Sequence, residues 1–208
     1  MALKNIDLWL PELRTIVGSA SDDLLLQQLQ KAVREFSKET FAYVVHITDQ
    51  DTVADRATYY LNPRPEGEIL VVHNIWYNGS PMDMQMTPNK GPAVPSPGTP
   101  VKVFMESRGV FKFIPTPNIS VADIWDADVS VIPKNYSYVP SDWHTVWFDE
   151  LLHGALRNLY SIPRRPWSSM SQANIHGRQF RAGMSLVRDT VRKKYSTKDV
   201  GWRFPAWA

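Results

Sequence analysis

Apolar residues recur along this chain in two rhythms, one helical and one strand-like. Leu25, Leu26, Leu29, Val33 and Phe36 repeat at helical spacing, while Gln28, Lys31, Arg34, Glu35 and Lys38 take the other side. Ser21 can cap this helix, and Asp22 and Asp23 suit its positive end. A shorter helix is expected before it, starting near Pro11 and ending before Gly18. Residues 41–48 (FAYVVHIT) are β-branched and aromatic, and predict a strand.

From there to about residue 132 the pattern is β-rich. Residues 69–77 (ILVVHNIWY) run into Asn78-Gly79, a strong hairpin signal, with a return strand expected through Met82, Met84 and Met86. Five prolines and two glycines between residues 88 and 100 predict a loop. Residues 101–106 and 110–114 should pair around Ser107-Arg108-Gly109, and residues 129–132 make one more strand.

The last third returns to helical spacing. Ser141 or Asp142 can cap a run whose apolar face is Trp143, Val146, Trp147, Leu151, Ala155 and Leu159. Gly154, Ala155 and Phe180 are candidate helix-packing positions, the first two because small side chains let another helix approach closely and Phe180 as part of the final helix's apolar stripe. Ile162-Pro163 breaks the run, and Ser169 with Gln172 forms a capping-box pattern opening a final helix. There Ala173, Gly177, Phe180, Met184, Val187, Val191 and Tyr195 form one stripe. The predicted fold is α+β: a helical bundle from residues 1–40 and 141–195, an inserted β-rich sandwich or barrel-like domain over 41–140, and an extended C-terminal arm over 196–208.

Composition narrows the function. Hydrophobic residues are 43% and charged residues 21% of 208, ordinary for a globular chain. No apolar run reaches the roughly 18–20 residues that span a bilayer, so no membrane contact is expected. Residues 1–7 lack the layout of a secretory signal. Cysteine is absent, which excludes disulfides and thiolate zinc sites. Net charge is +2 but unevenly spread: residues 151–208 hold eleven Lys/Arg against two acids, whereas the first 150 residues hold twelve against nineteen. That split suits a chain whose two ends meet different partners, and reads equally as chance plus one solvated basic helix.

Signals for catalysis are weak. Among metal candidates His144, Asp149, Glu150 and His153 stand out, yet no HExxH occurs, and Asp149, His153 and Arg157 read equally as a surface ion-pair ladder. Asp123, Asp126 and Asp128 lack the alternation and turn glycine of a calcium loop and read as solvated. Neither GxSxG, SxxK, GxGxxG nor a P-loop is present. No catalytic residue, metal or cofactor is expected.

The basic signal is stronger. Arg178, Arg181, Ser185, Arg188 and Arg192 project within about 80° of arc beside the apolar stripe. Contact with another protein ranks first for this face, solvation second and DNA phosphates last. Trp202, Phe204 and Trp207, with Arg203 among them, carry much apolar area for a terminus, which favours an arm that anchors on another chain.

Several segments together resemble the head–tail adaptor (connector) proteins of tailed bacteriophages. They are residues 10–13 (LPEL) leading to 29–36 (LQKAVREF), Tyr59-Tyr60-Leu61-Asn62-Pro63, Gly98-Thr99-Pro100 and 111–117 (FKFIPTP). They continue with 153–159 (HGALRNL), Arg165-Pro166-Trp167, Ala173 and Phe180. The resemblance implies a structural virion protein: a ring, usually of twelve copies, at the head–tail junction, assembled in the host cytoplasm. Such a ring would bind the portal protein above and a tail or nozzle protein below, with genomic DNA passing through its channel without sequence recognition. The alternatives are a DNA-binding protein using the basic face of the last helix, and a carbohydrate-binding tail module using Trp76, Tyr77 and the Asp cluster.

Overall fold

The computed structural model describes residues 2–62, 67–85 and 97–195. The expected arm, with Trp202, Arg203, Phe204 and Trp207, lies outside these residues, as do Met86 and most of the proline-rich loop. Strand β1 (Leu3–Asn5) leads through a 3-10 turn (Ile6–Trp9) into helices α1 (Leu10–Ile16) and α2 (Asp22–Thr40). Strands β2 (Val44–Thr52), β3 (Thr58–Tyr60), β4 (Gly67–Tyr77), β5 (Ser80–Pro81) and β6 (Asp83–Gln85) come next. They are followed by β7 (Lys102–Ser107), β8 (Val110–Ile114), β9 (Val121–Pro133) and β10 (Tyr138–Pro140). Helices α3 (Trp143–Val146), α4 (Phe148–Tyr160) and α5 (Met170–Tyr195) complete the described chain.

The strands form three sheets, in the orders β2-β9-β4-β5, β3-β8-β7-β6 and β1-β10. β9 is the axis, paired antiparallel with β2 on one side and β4 on the other. Its alternate residues Trp125, Ala127, Val129 and Val131 are all buried. Trp125 meets Phe111, Phe113 and Tyr59 of the second sheet at ring-centroid distances of 5.2–6.2 Å, which closes a sandwich around an aromatic core. Full burial of each such ring contributes about 2–3 kcal/mol.

The expected α+β arrangement, a terminal helical bundle with an inserted β domain, does not hold. The fold is built on β-sheet, with ten strands in three sheets against five α-helices among the described residues. The cause is a shared core. One continuous cluster of buried apolar residues runs from Ile6 to Val187 through both sheets and helices. Trp143, expected in the bundle, packs on Tyr43, expected in the insert, at 5.8 Å, so aromatic packing crosses the expected boundary between them. At the other end Tyr195 of α5 stacks on His73 of β4 at 4.5 Å. Strand pairing also reaches the extreme N-terminal segment, where β1 joins β10.

Three local expectations are corrected as well. The return strand after Asn78-Gly79 is cut short, Ser80 and Pro81 pairing with β4 and the Met82 N–H donating to the Ile75 carbonyl at 2.9 Å. Proline has no N–H for the ladder, and the chain then crosses to the second sheet, where β6 pairs parallel with β7. Asp123, Asp126 and Asp128 belong to the central strand rather than to a loop. The helix expected from residue 143 onward is interrupted at Trp147, whose φ of −121° and ψ of 24° separate α3 from α4. Thr145, Val146, Trp147 and Phe148 are β-branched or aromatic, weak helix formers that make a break inexpensive there.

Candidate functional site

Helix α5 is amphipathic with its whole apolar stripe turned inward. Ser169 caps its start, its hydroxyl accepting from the Gln172 N–H at 3.3 Å. Ala173, Gly177, Phe180, Met184 and Val187 are buried. The stripe docks where α4 carries its smallest side chains. A methyl group added at Gly154 would lie 2.9 Å from both the Ala32 Cβ and the Phe180 ring, so a glycine is needed for α2, α4 and α5 to meet. Ala155 beside it is fully buried.

The α2–α4 seam is closed by charge. Arg157 donates to both carboxylate oxygens of Glu35, at 2.9 and 2.6 Å, and its guanidinium covers the Phe180 ring at 5.1 Å. The Glu35 hydrogen bonds raise the Arg157 pKa, with burial opposing them. Asn158 accepts from Arg157 at 2.8 Å and donates to the Gln28 carbonyl at 3.2 Å. Between α4 and α5, the Nδ1 atoms of His153 and His176 face each other at 3.0 Å. Burial, and then the neighbouring His153, lower the His176 pKa.

Away from this seam, α5 is open. Arg178, Arg181, Arg188 and Arg192 are exposed along one flank, and none forms an ion pair among the described residues. Next to them the outward surface carries Leu186, 63% exposed, and Ile175, 38% exposed, with Gln179 and Ala182 between. Positions 175, 179, 182 and 186 step by 4, 3 and 4, the spacing of a second seam on the far side of the helix. Sequence reading found the arginines but passed over this second apolar line, whose signal was the same helical period. A shallow groove of about 240 Å³ runs from the arginine flank toward α4, lined by Arg157, Asn158, Ser161, Asn174, Gly177 and Arg181. With Arg157 committed to Glu35, and Asn158 to Arg157 and the Gln28 carbonyl, the groove offers Arg181 and the Asn174 amide, a pair that suits a carboxylate.

The other sequence candidates are dispersed. His144 packs on Trp9 and Phe148, and His153 faces His176, so the proposed ladder through Asp149, His153 and Arg157 is replaced by longer-range contacts. Among the described residues no three His, Asp or Glu side chains are placed to hold a metal ion. Tyr77 turns into the sandwich core against Phe113 at 5.5 Å, while Trp76 lies half-buried beside His46, so the two do not present one aromatic platform. A buried polar chain missed from sequence links His73 Nε2 to the Ser130 hydroxyl at 2.6 Å, and that hydroxyl to the Phe41 carbonyl. It secures Phe41, which ends α2 in the left-handed region at φ 58°. Burial pushes His73 down to about 4, with Asp128 opposing. No helix among the described residues is long and apolar enough to cross a membrane. No protein-family model matches the chain, and no curated protein matches its sequence.

Proposed function

We propose that this chain is a structural ring subunit at the head–tail junction of a tailed-phage particle, an adaptor between portal and tail and not an enzyme. The observation that carries the reading is the outward surface of α5: four arginines without carboxylate partners among the described residues, beside exposed Leu186 and Ile175. Arginine with exposed aliphatic side chains on a rigid helix is the chemistry of a protein–protein contact. A surface meant only for phosphates would gain nothing from the leucine. This favours another protein over DNA as the partner, with the genome threading the channel unread. Such a ring, of twelve copies by the family resemblance, would be held by many modest contacts acting together.

The reading is tested by averaged electron images of the particle vertex, with the chain carrying a small tag. Expected is tagged density repeated around the axis between portal and tail. Tagged chain absent from purified particles, or found there only off the vertex, overturns the proposal.

A further inference from the structure

We propose that the outward face of α5 receives the acidic end of the sandwich from a second copy of this chain, giving the ring a head-to-tail contact; this rests on the ring-subunit reading above. Asp49, Asp51, Asp55, Asp123 and Asp126 gather where β2 ends and β9 begins. The Asp49 N–H donates to the Asp126 carboxylate at 3.1 Å, and the Asp123 N–H donates to the Asp51 carboxylate at 3.0 Å. The Asp55 N–H donates to the Pro117 carbonyl at 2.9 Å, which holds this turn against the segment leading into β9.

None of these five carboxylates pairs with a Lys or Arg among the described residues. Arg56, the cation next in sequence, is directed elsewhere: it donates to the Thr58 carbonyl at 3.1 Å and lies over the Tyr59 ring. Among the described residues no three His, Asp or Glu side chains are grouped so as to hold a metal ion. Beside the aspartates stand Val53, 44% exposed, and Ile119, 59% exposed. The acidic end therefore mirrors the arginine flank of α5 in kind, a predominance of one charge without ion-pair partners among the described residues, flanked by aliphatic groups, with the sign reversed and the exposed Asp189 the one acid within α5.

Asp123 lies seven residues along β9 from Ser130, the level at which His73 meets Tyr195, so the acidic end and that end of α5 are about 23 Å apart along the strand. One copy can offer its acidic end while its own α5 receives the preceding copy, as a heterologous contact repeated by rotation requires. Opposite charges would set the register, and Val53 and Ile119 against Ile175 and Leu186 would supply the dry centre.

The absence of native cysteine makes a direct test clean. Val53→Cys and Leu186→Cys are placed together in the full chain, and the concentrated protein is treated with a short bismaleimide. Expected is a ladder of dimer, trimer and larger species, because each copy carries both halves of the contact. A mixture of the two single-cysteine variants should stop at dimers. Adding Asp49→Asn, Asp55→Asn and Asp123→Asn keeps the left-handed backbone and the acceptor oxygens, yet should lower ladder yield about tenfold by removing charge. Oligomers seen by sedimentation without a ladder, or a ladder indifferent to the Asn changes, overturn this contact and leave the ring reading standing. A chain that stays monomeric and unladdered overturns it too. The ring reading itself is decided separately, by the vertex image.

Discussion

The inward and outward faces of α5 are cut from the same 26 residues and obey opposite rules. Inward, the large groups have fixed neighbours: Phe180 lies against Gly154 and Phe36, and Arg157 shields it while bound to Glu35. Outward, Arg178, Arg181, Arg188 and Leu186 meet no such partner among the described residues. The same residue type thus does two jobs. Arg157 joins helices within the chain, whereas the α5 arginines are left available to something else. Substitution should separate the two faces by size of effect.

The largest loss is expected at the centre of the inward face. Phe180→Ala removes a fully buried ring from a site too tightly packed to collapse, and should cost about 3–5 kcal/mol in urea unfolding. Leu186→Ala on the outward face should cost a small fraction of that. Equal losses would erase the distinction between the faces.

Next comes acid. His73 stays neutral when folded down to about 4, while an unfolded histidine takes its proton near 6.5. Protons therefore bind the unfolded chain preferentially between these values. The histidine's contribution is complete above pH 6.5, declines as pH falls, and is gone below about 4, a total of ~3 kcal/mol. His73→Phe, which keeps a ring under Tyr195, should flatten that window of the stability–pH curve. A slope unchanged by the substitution would place the acid sensitivity elsewhere.

Arg157→Met should follow, at about 1–3 kcal/mol, because Glu35 loses both charge-assisted bonds in a half-buried setting. Adding Glu35→Met should recover much of the loss, since a hydrophobic pair can replace an ion pair at little cost. A double variant no better than Arg157→Met alone would mean that Arg157 acts through Phe180 and not through charge.

How much of this was legible beforehand depended on the range of the interaction. The inward stripe of α5, the Ser169 cap and the hairpin turning at Arg108-Gly109 depend on neighbours in sequence, and periodicity exposed them. The length of β9 was hidden by Asp123, Asp126 and Asp128, whose charge suggested a loop. Yet Trp125, Ala127, Val129 and Val131 alternate with Asp126 and Asp128 at the strand period, so the signal was present and was outweighed. The partition into bundle and insert failed because Tyr43, just inside the expected insert, packs on Trp143 of the expected bundle across 100 residues of chain. No local pattern announces a contact of that span. The arginine face was readable as a charge arc, but whether its guanidiniums were already paired depended on where every carboxylate of the described fold came to lie.

The smallest effect on stability should accompany the largest effect on assembly. Arg181→Glu with Arg188→Glu changes two exposed side chains that form no ion pair among the described residues, so unfolding free energy should move by no more than about 0.5 kcal/mol. The same change inserts two negative charges where a carboxylate-bearing partner would dock, and like charges across an interface cost several kcal/mol. Incorporation of the variant into particles should therefore collapse while its thermal melt stays at the wild-type temperature. If both hold steady, the outward face is only a solvated surface. If both fall together, the arginines belong to the fold, and α5 has one working side instead of two.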